Sequence, residues 1–583
     1  MGRPRGTGCC AVRGASVILV LFWLSLGCQP EDSTRAVPGA GTPPERPNIL
    51  WIVAEDLCPR IGAYGDRTAS TPRLDSLASE GVVFTNAFTT SGVCAPSRSA
   101  IITGVHQNTI GTQHMRTKPA PFEPPAFDFA YEAVPPPEVK AFPEYLRAAG
   151  YFTVNNAKTD YQFGEPFTVW DESGPTAHWR NRPEGMPFFA YFTLLTTHES
   201  TIWPLDYRPR SLLEFFTMVL NHILLAHRQE VTQPGDVRIP LYYPENEVVR
   251  EDIARFYDNI ALMDTQVGRL LDELEQDGLA DDTIVLFTGD NGDGLPRAKR
   301  WVYDGGIHVP LILRWPGHLR AGAVRKELVS FVDLAPTFLS LAGAPVPDHM
   351  QGRVFLGKKS QPPRAYVYAA RDRTDTDEDT VRAVRDRRFK YLRNFHPERP
   401  YVVPLAYRDV MPMMKELLRL DEAGLLSGPA TLWFRDTRPV EELYDTLQDP
   451  DEVDNLADRP EFQGDLIRLR TEMDRWLEWS DDIGVRMTEA EMVEGMWPGG
   501  VQPLTEEPEI LMNALGDGQT EVRIQCPTEG ASVGYRVTEP GGSAFSRWLL
   551  YSAPLVLESG TILLAEAVRY GYHESGVVKK VVP

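Results

Sequence analysis

Residues 48–54 read NILWIVA, an almost unbroken apolar run. A half-buried strand alternates apolar and polar positions, so a run without alternation predicts a strand covered on both faces, as in a parallel sheet. Short runs at 151–154, 188–193, 283–288 and 309–314 predict further buried strands. Between them the period changes. Thr71 caps and Pro72 opens a helix whose inner stripe is Leu74, Leu77 and Ala78, and Gly81 ends it. From 251 to 276, Ile253, Phe256, Ile260, Met263, Val267, Leu270 and Leu274 recur at helical spacing and form the inner face of one long amphipathic helix. Strands alternating with helices predict an α/β fold, with helices sandwiching a large mixed, mostly parallel sheet.

Near residue 365 the pattern becomes more charged and shorter in period, which predicts a smaller C-terminal α+β subdomain over 366–500. Within it Phe389-Lys390-Tyr391-Leu392 and Glu442-Leu443-Tyr444-Asp445 read as edge-type strands, and 461–479 as a closing helix. Turn signals at Glu529-Gly530-Ala531, Gly541-Gly542 and Gly571-Tyr572 predict a small β-sandwich over 505–583. The segment 211–226 (SLLEFFTMVLNHILLA) is unusually apolar but too short to cross a bilayer readily. It is expected to be a buried helix or an amphipathic lid rather than a membrane contact. There is no internal repeat.

The N-terminus looks like a processing segment. Arg3, Arg5 and Arg13 precede a short apolar stretch ending in Leu24-Ser25-Leu26-Gly27-Cys28. A small residue, a cysteine and then a polar stretch resemble a bacterial lipobox, with Ser25 where an aliphatic residue is usual. Residues 1–28 are therefore expected to be a signal with lipidation at Cys28, and 29–45 a flexible tether. A plain secretory signal is the alternative. The expected location is across the inner membrane, as a periplasmic or cell-surface lipoprotein anchored to the membrane by lipid. The chain has 583 residues and a formal net charge of −22, which argues against a nucleic-acid partner. Of six cysteines, Cys9 and Cys10 leave with the signal, and Cys58 and Cys526 lie far apart, so no disulfide framework is implied.

The candidate chemistry gathers at predicted strand ends. Glu55-Asp56 follow the first strand and Asp290-Asn291-Gly292 follow 283–288. Open α/β sheets bind ligands at these carboxyl ends. Hard oxygen donors without histidine suit a hard cation such as Ca2+ or Mg2+ rather than zinc. Lys158 and Lys299 lie at strand or loop boundaries, where a lone lysine is ordinarily solvated. His198, in Thr196-Thr197-His198-Glu199, is of the right type to protonate a leaving alcohol.

Cys94 stands in Cys94-Ala95-Pro96-Ser97-Arg98-Ser99. This C-x-P-S-R core resembles the one in which sulfatases oxidise a cysteine to formylglycine. An ordered series joins it: Arg46-Pro47-Asn48-Ile49-Leu50 through Asp56, Thr71-Pro72-Arg73-Leu74, and Asp290-Asn291-Gly292. It continues through Tyr303-Asp304-Gly305-Gly306-Ile307-His308-Val309-Pro310, Val332-Asp333-Leu334-Ala335-Pro336-Thr337 and Leu443-Tyr444-Asp445. Residues 46 to about 460 are thus similar to the sulfatase family, within the alkaline-phosphatase-like superfamily, and 46–365 would be its catalytic domain. The resemblance implies that Cys94 becomes the formylglycine nucleophile, made by a maturation enzyme, and that Arg98 positions it. It implies one Ca2+ on Glu55, Asp56, Asp290, Asn291 and a formylglycine oxygen. Lys158 and Lys299 would hold the sulfate, and His198 would act as acid.

Two departures stand out. Glu55 replaces the family's usual aspartate, and Asp160 stands where a histidine often follows the first lysine. His114 and His308 are the candidates to fill that gap and to contact substrate. The expected function is hydrolysis of sulfate esters, with a sulfated glycan as the expected substrate. A phosphonate or phosphate diester hydrolase of the same superfamily is one rival, and a non-catalytic glycan-binding protein on the same scaffold another. The C-terminal module weakly resembles appendages of carbohydrate-active enzymes. Its Trp548 and Tyr551 are more readily core aromatics than sugar platforms.

Overall fold

Strand β1 (Asn48–Ala54) sends Leu50, Ile52 and Ala54 into one apolar core and Ile49, Trp51 and Val53 into another. Successive strand residues face opposite ways, so a strand with a core on each side is apolar throughout. This computed structural model describes residues 46–118, 130–540, 542 and 545–583, and β1 lies in the middle of an eight-stranded sheet. The expected signal, Cys28 and tether lie outside the described residues.

The sheet's other strands are β2 (Val82–Phe88), β3 (Phe152–Asn156), β4 (Glu172–Ser173), β5 (Phe188–Leu194), β6 (Thr283–Gly289), β7 (Leu311–Arg314) and β8 (Ala323–Ser330). Their order is β4-β3-β5-β1-β6-β7-β2-β8. Strand β7 is antiparallel to both neighbours, and the remaining pairs are parallel. No apolar run announces β2, where Thr85 and Asn86 interrupt the pattern; the Asn86 amide instead donates to the Lys326 carbonyl at 2.9 Å.

Helices α1 (Pro72–Glu80), α2 (Cys94–Thr103), α3 (Phe142–Ala148), α4 (Leu212–Leu224) and α5 (Glu247–Gln276) follow in chain order. The first core holds α1 and α5, and the second holds α2 and α3, which gives the sandwich. Helix α5 starts four residues before the apolar pattern does, because the Asn246 side chain accepts from the Val249 N–H at 3.0 Å. Leu270 is only half-buried, at the edge of the stripe.

Helix α4 corrects the expectation of a buried helix. It turns Glu214, Thr217 and Asn221 inward and leaves Leu212, Phe215, Phe216, Val219, Leu220 and Ile223 exposed. Its inner contacts are polar apart from Met218, which joins the first core: the Asn221 amide donates to the Ser200 carbonyl at 2.7 Å, and Tyr207 donates to Glu214 at 2.9 Å. Among the described residues no helix is long and apolar enough to cross a membrane.

A second sheet is antiparallel. It contains β9 (Val367–Arg371), β10 (Val381–Arg385), β11 (Phe389–Asn394) and β12 (Glu441–Asp445), ordered β12-β11-β10-β9. The helix Gln463–Ser480 covers it with Leu466, Leu469, Met473 and Trp476. Strand β12 is an edge, as expected, but β11 is interior. Its charges misled: Lys390 is fully buried and its Nζ lies 2.5 Å from Asp304 Oδ1 and 2.8 Å from Glu452 Oε1.

The chain ends in two facing sheets that share a core built on Val522, Val533 and Leu563. One contains β13 (Glu509–Gly516), β14 (Gln519–Gln525) and β17 (Leu555–Glu558). The other contains β15 (Ser532–Thr538), β16 (Leu549–Leu550), β18 (Ile562–Val568) and β19 (Val578–Val581). Trp548 packs against Phe167 of the α/β domain with ring centroids 5.3 Å apart.

Candidate active site

Parallel register builds the centre of the site. Ala54 of β1 pairs with Gly289 of β6, so the next residues of each strand, Glu55-Asp56 and Asp290-Asn291, emerge side by side. The Asp56 N–H donates to Asp290 Oδ1 at 3.0 Å and the Leu57 N–H to the Asn291 carbonyl at 2.9 Å. All four side chains are fully buried. Carboxylate oxygens of Glu55, Asp56 and Asp290 lie within 4.8 Å of one another. The Asn291 amide nitrogen donates to Asp56 Oδ1 at 2.9 Å, while its Oδ1 has no hydrogen-bond partner. Three converging carboxylates and an orphan acceptor fit a hard divalent cation.

Cys94 is the first residue of α2, so it sits at the positive end of the helix. Its Sγ is 3.7 Å from Glu55 Oε2 and 3.9 Å from Asp56 Oδ1. Arg98, one turn on, lies on the same helix face. Its Nε donates to Asp290 Oδ2 at 3.0 Å and its Nη2 to Glu55, tying both strand ends to the helix. Burial raises the Glu55 pKa, but Arg98, Lys158 and His198 outweigh it and hold the carboxyl well below its usual range. Burial and then the Glu55 charge push Asp290 up to about 7. Burial also pushes the Cys94 thiol well above its ordinary value, against the pull of Lys158 and Lys299. A thiol so held stays protonated and is a weak nucleophile.

Lys158 and Lys299 reach different carboxylates of the cluster. Lys158 Nζ donates to Glu55 Oε2 at 2.7 Å and lies 3.5 Å from Asp160 Oδ2. Lys299 Nζ donates to Asp56 Oδ2 at 2.6 Å and lies 3.3 Å from Glu199 Oε1. His198 follows β5, the other neighbour of β1, and its Nδ1 lies 2.9 Å from Ser200 Oγ. A ring nitrogen of His198, Cys94 Sγ and a Glu55 oxygen all lie within 4.8 Å of one another. Burial and then the Lys299 charge lower its pKa to about 4, so the imidazole rests neutral.

Cys94, Lys158, His198 and Lys299 open onto one cavity of about 530 Å3. Glu55, Asp56, Arg98, Asp290 and Asn291 lie behind these lining residues, out of contact with solvent. The two substitute histidines are not brought here. His308 stacks on Phe88 with ring centroids 4.9 Å apart, its Nε2 3.0 Å from the Thr85 carbonyl, and lines a separate cavity. The His114 ring is buried beside Gln113 and does not line the catalytic cavity.

Sequence reasoning missed three groups. Glu199 and Arg300 form a buried bidentate pair at 2.6 and 2.8 Å that flanks Lys299. Tyr407, from the C-terminal subdomain, places its ring 6.2 Å from His198. Glu199 and Arg300 each adjoin a residue singled out above, which was the only available signal. Nothing local marks Tyr407.

Comparison with known proteins gives this architecture its class. A family model for sulfatases matches residues 47–344, and one for the C-terminal part of N-sulphoglucosamine sulphohydrolase matches 297–401. An ulvan-active sulfatase of Formosa agariphila is 42% identical over 587 residues, covering 97% of this chain and 96% of that protein. Human N-sulphoglucosamine sulphohydrolase is 28% identical, over 79% of this chain and 95% of its own length. Among solved structures, a 2-O GAG sulfatase superposes with a TM-score of 0.54 at 22% identity, over 76% of this chain and 94% of that one. A protein in complex with its substrate D-glucosamine-2-N,6-O-disulfate superposes with a TM-score of 0.52 at 19% identity, over 75% and 98%. The chain belongs to the sulfatase family. It is a sulfuric ester hydrolase on the alkaline-phosphatase-like fold.

Proposed function

We propose that this enzyme hydrolyses sulfate esters on a sulfated glycan, with a formylglycine made from Cys94 as nucleophile and Ca2+ at the carboxylate cluster. The observation that carries this reading is the convergence of Cys94, Lys158, His198 and Lys299 on one cavity above Glu55, Asp56 and Asp290. The glycan is supported by the relatives, whose printed substrates, ulvan and sulfated glucosamine, are carbohydrates.

Glu55, Asp56, Asp290 and Asn291 would hold the cation, whose oxygen ligands suit Ca2+ better than Zn2+. Bound there, it supplies Lewis-acid polarisation of a sulfate oxygen. Lys158 and Lys299 bind the remaining sulfate oxygens and stabilise charge that grows as the S–O bond breaks. Arg98, out of reach of the cavity, keeps Glu55 and Asp290 in place.

A buried, protonated thiol at position 94 is poorly suited to attack, whereas a hydrated aldehyde offers two hydroxyls. One gives its proton to the carboxylates beside residue 94, Glu55 or Asp56, and attacks sulfur while the bond to the sugar oxygen breaks. His198, protonated once the substrate's negative charge lies beside it, delivers a proton to that oxygen. The second hydroxyl then gives its proton to the now neutral His198, the carbonyl re-forms as the bond to sulfur's oxygen breaks, and sulfate departs. His114 and His308, which do not line the catalytic cavity, take no part in these transfers in this scheme. Export, with lipidation of Cys28 and anchoring at the periplasmic or outer surface, completes the proposal on the strength of the N-terminal sequence.

The test is direct. After coexpression with a maturation enzyme, peptide mass spectrometry is expected to show an aldehyde at position 94. The matured protein should release sulfate from members of a panel of sulfated sugars, and Cys94→Ala should lose turnover with Tm unchanged. Full activity of Cys94→Ala would overturn the nucleophile.

A further inference from the structure

The catalytic cavity does not end at the sulfate-binding groups. Lys118, Glu132, Gly164 and Glu165 line both it and a second cavity of about 490 Å3, so the two adjoin. The far wall of the second cavity is not part of the α/β domain. It is made by Gln502 and, just after β18, by Tyr572 and Glu574 of the C-terminal sheets.

That wall is fixed in place before any ligand arrives. Tyr570 is fully buried, stacks on Phe163 with ring centroids 5.1 Å apart, and donates its hydroxyl to Glu144 Oε2 at 2.7 Å. Gly571 has φ 79°, and a Cβ there would lie 2.2 Å from the Ala133 carbonyl oxygen. Only glycine lets the loop press this closely on the α/β domain. Gln502 Nε2 locks the same loop, donating to the Gly571 carbonyl at 3.0 Å and to Glu132 Oε2 at 3.4 Å. Binding to a wall already ordered loses little to side-chain entropy.

The chemistry changes along the cleft. At the sulfate end Lys158 and Lys299 face the cavity. In the extension Lys118 is cancelled by its ion pair with Glu132, which leaves the exposed carboxylates Glu165 and Glu574. Carboxylates and an amide accept and donate to hydroxyls, and the half-buried Tyr572 ring, with the buried Arg569 guanidinium 5.9 Å from its centroid, adds apolar surface. Glu165 and Glu574 outnumber the further cation, the buried Arg569, so a second sulfate or a uronate would meet a net negative lining here.

We propose that the C-terminal sheets complete a distal subsite for the glycan unit next to the sulfated one, and that this subsite takes a hydroxyl-rich, uncharged sugar. The proposal rests on the glycan-sulfatase reading above.

The test uses full-length matured enzyme and the variants Tyr572→Ala and Glu574→Gln. The substrates are nitrophenyl sulfate, a sulfated monosaccharide, and sulfated disaccharides whose second unit is neutral or a uronate. Tyr572→Ala is expected to lower kcat/KM on the neutral disaccharide about tenfold, through KM, and to leave the first two substrates within about twofold. Wild-type enzyme should prefer the neutral disaccharide to the uronate one, and Glu574→Gln should narrow that preference. Unchanged disaccharide kinetics in both variants, or equal losses on every substrate, would overturn the subsite while leaving the glycan reading intact. Wild-type turnover of nitrophenyl sulfate with none of any sulfated sugar would remove both.

Discussion

His198 shows how a single side chain can be assigned a step by its surroundings. Its ring nitrogen shares a 4.8 Å sphere with Cys94 Sγ and a Glu55 oxygen, and burial keeps it neutral until substrate brings negative charge beside it. A sugar alkoxide leaves badly without a proton, whereas a nitrophenolate leaves well. General acid catalysis contributes about 10²–10⁴-fold. His198→Ala should therefore slow turnover of a sulfated sugar by about that factor, and nitrophenyl sulfate far less. Equal losses on both substrates, measured as kcat, would reassign His198 to binding or structure. Asp160 is the complementary lesson. It lies 3.5 Å from Lys158 Nζ, so the position that departs from the family pattern still faces the site's charges.

At the scale of elements, the second sheet is joined to the α/β domain by buried charge. Lys390 of β11 meets Asp304 and Glu452, and Arg385 of β10 also reaches Asp304, at 3.0 Å. Burial raises the Glu452 pKa to about 7 despite Lys390, so this carboxylate depends on its partner. Removing one member of such a network leaves uncompensated charge in the interior. Lys390→Met is expected to cost about 3–5 kcal/mol in urea unfolding. A loss below about 1 kcal/mol would mean that solvent reaches the network. The same charges explain why β11 reads as an edge strand: a lysine in a strand signals solvent unless its partners, 86 and 62 positions away in the chain, are known.

For the whole molecule, the carboxylate cluster is the place where ligand binding and stability meet. Glu55, Asp56 and Asp290 come from two strands joined by helix α2 through Arg98, so a cation bound among them holds three elements at once. A ligand that binds only the folded state stabilises it by about 2.7 kcal/mol at 100 times its Kd. Ca2+ is expected to raise Tm and chelation to lower it, with Ca2+ restoring both Tm and activity better than Zn2+. Asp290→Ala should abolish the Ca2+ dependence of Tm. A Ca2+-dependent Tm that persists in that variant would place the ion elsewhere.

What the sequence determined by itself is local or adjacent in the chain. The double-sided burial of β1, the stripe of α5 and the placement of Glu55-Asp56 and Asp290-Asn291 at strand ends all follow from short-range pattern. So does the Cys94 to Arg98 spacing, which is one helical turn. What only the tertiary structure decided depends on partners distant in sequence. It set the inward polar face of α4, whose outward leucines and phenylalanines would by pattern be core. It also set the interior place of β11, the exclusion of His114 and His308 from the catalytic cavity, and the arrival of Tyr407 beside His198. The physical reason is the same in each case. Periodicity reports which side of an element differs from the other, while the identity of what lies against that side is settled by packing and ion pairing across hundreds of residues.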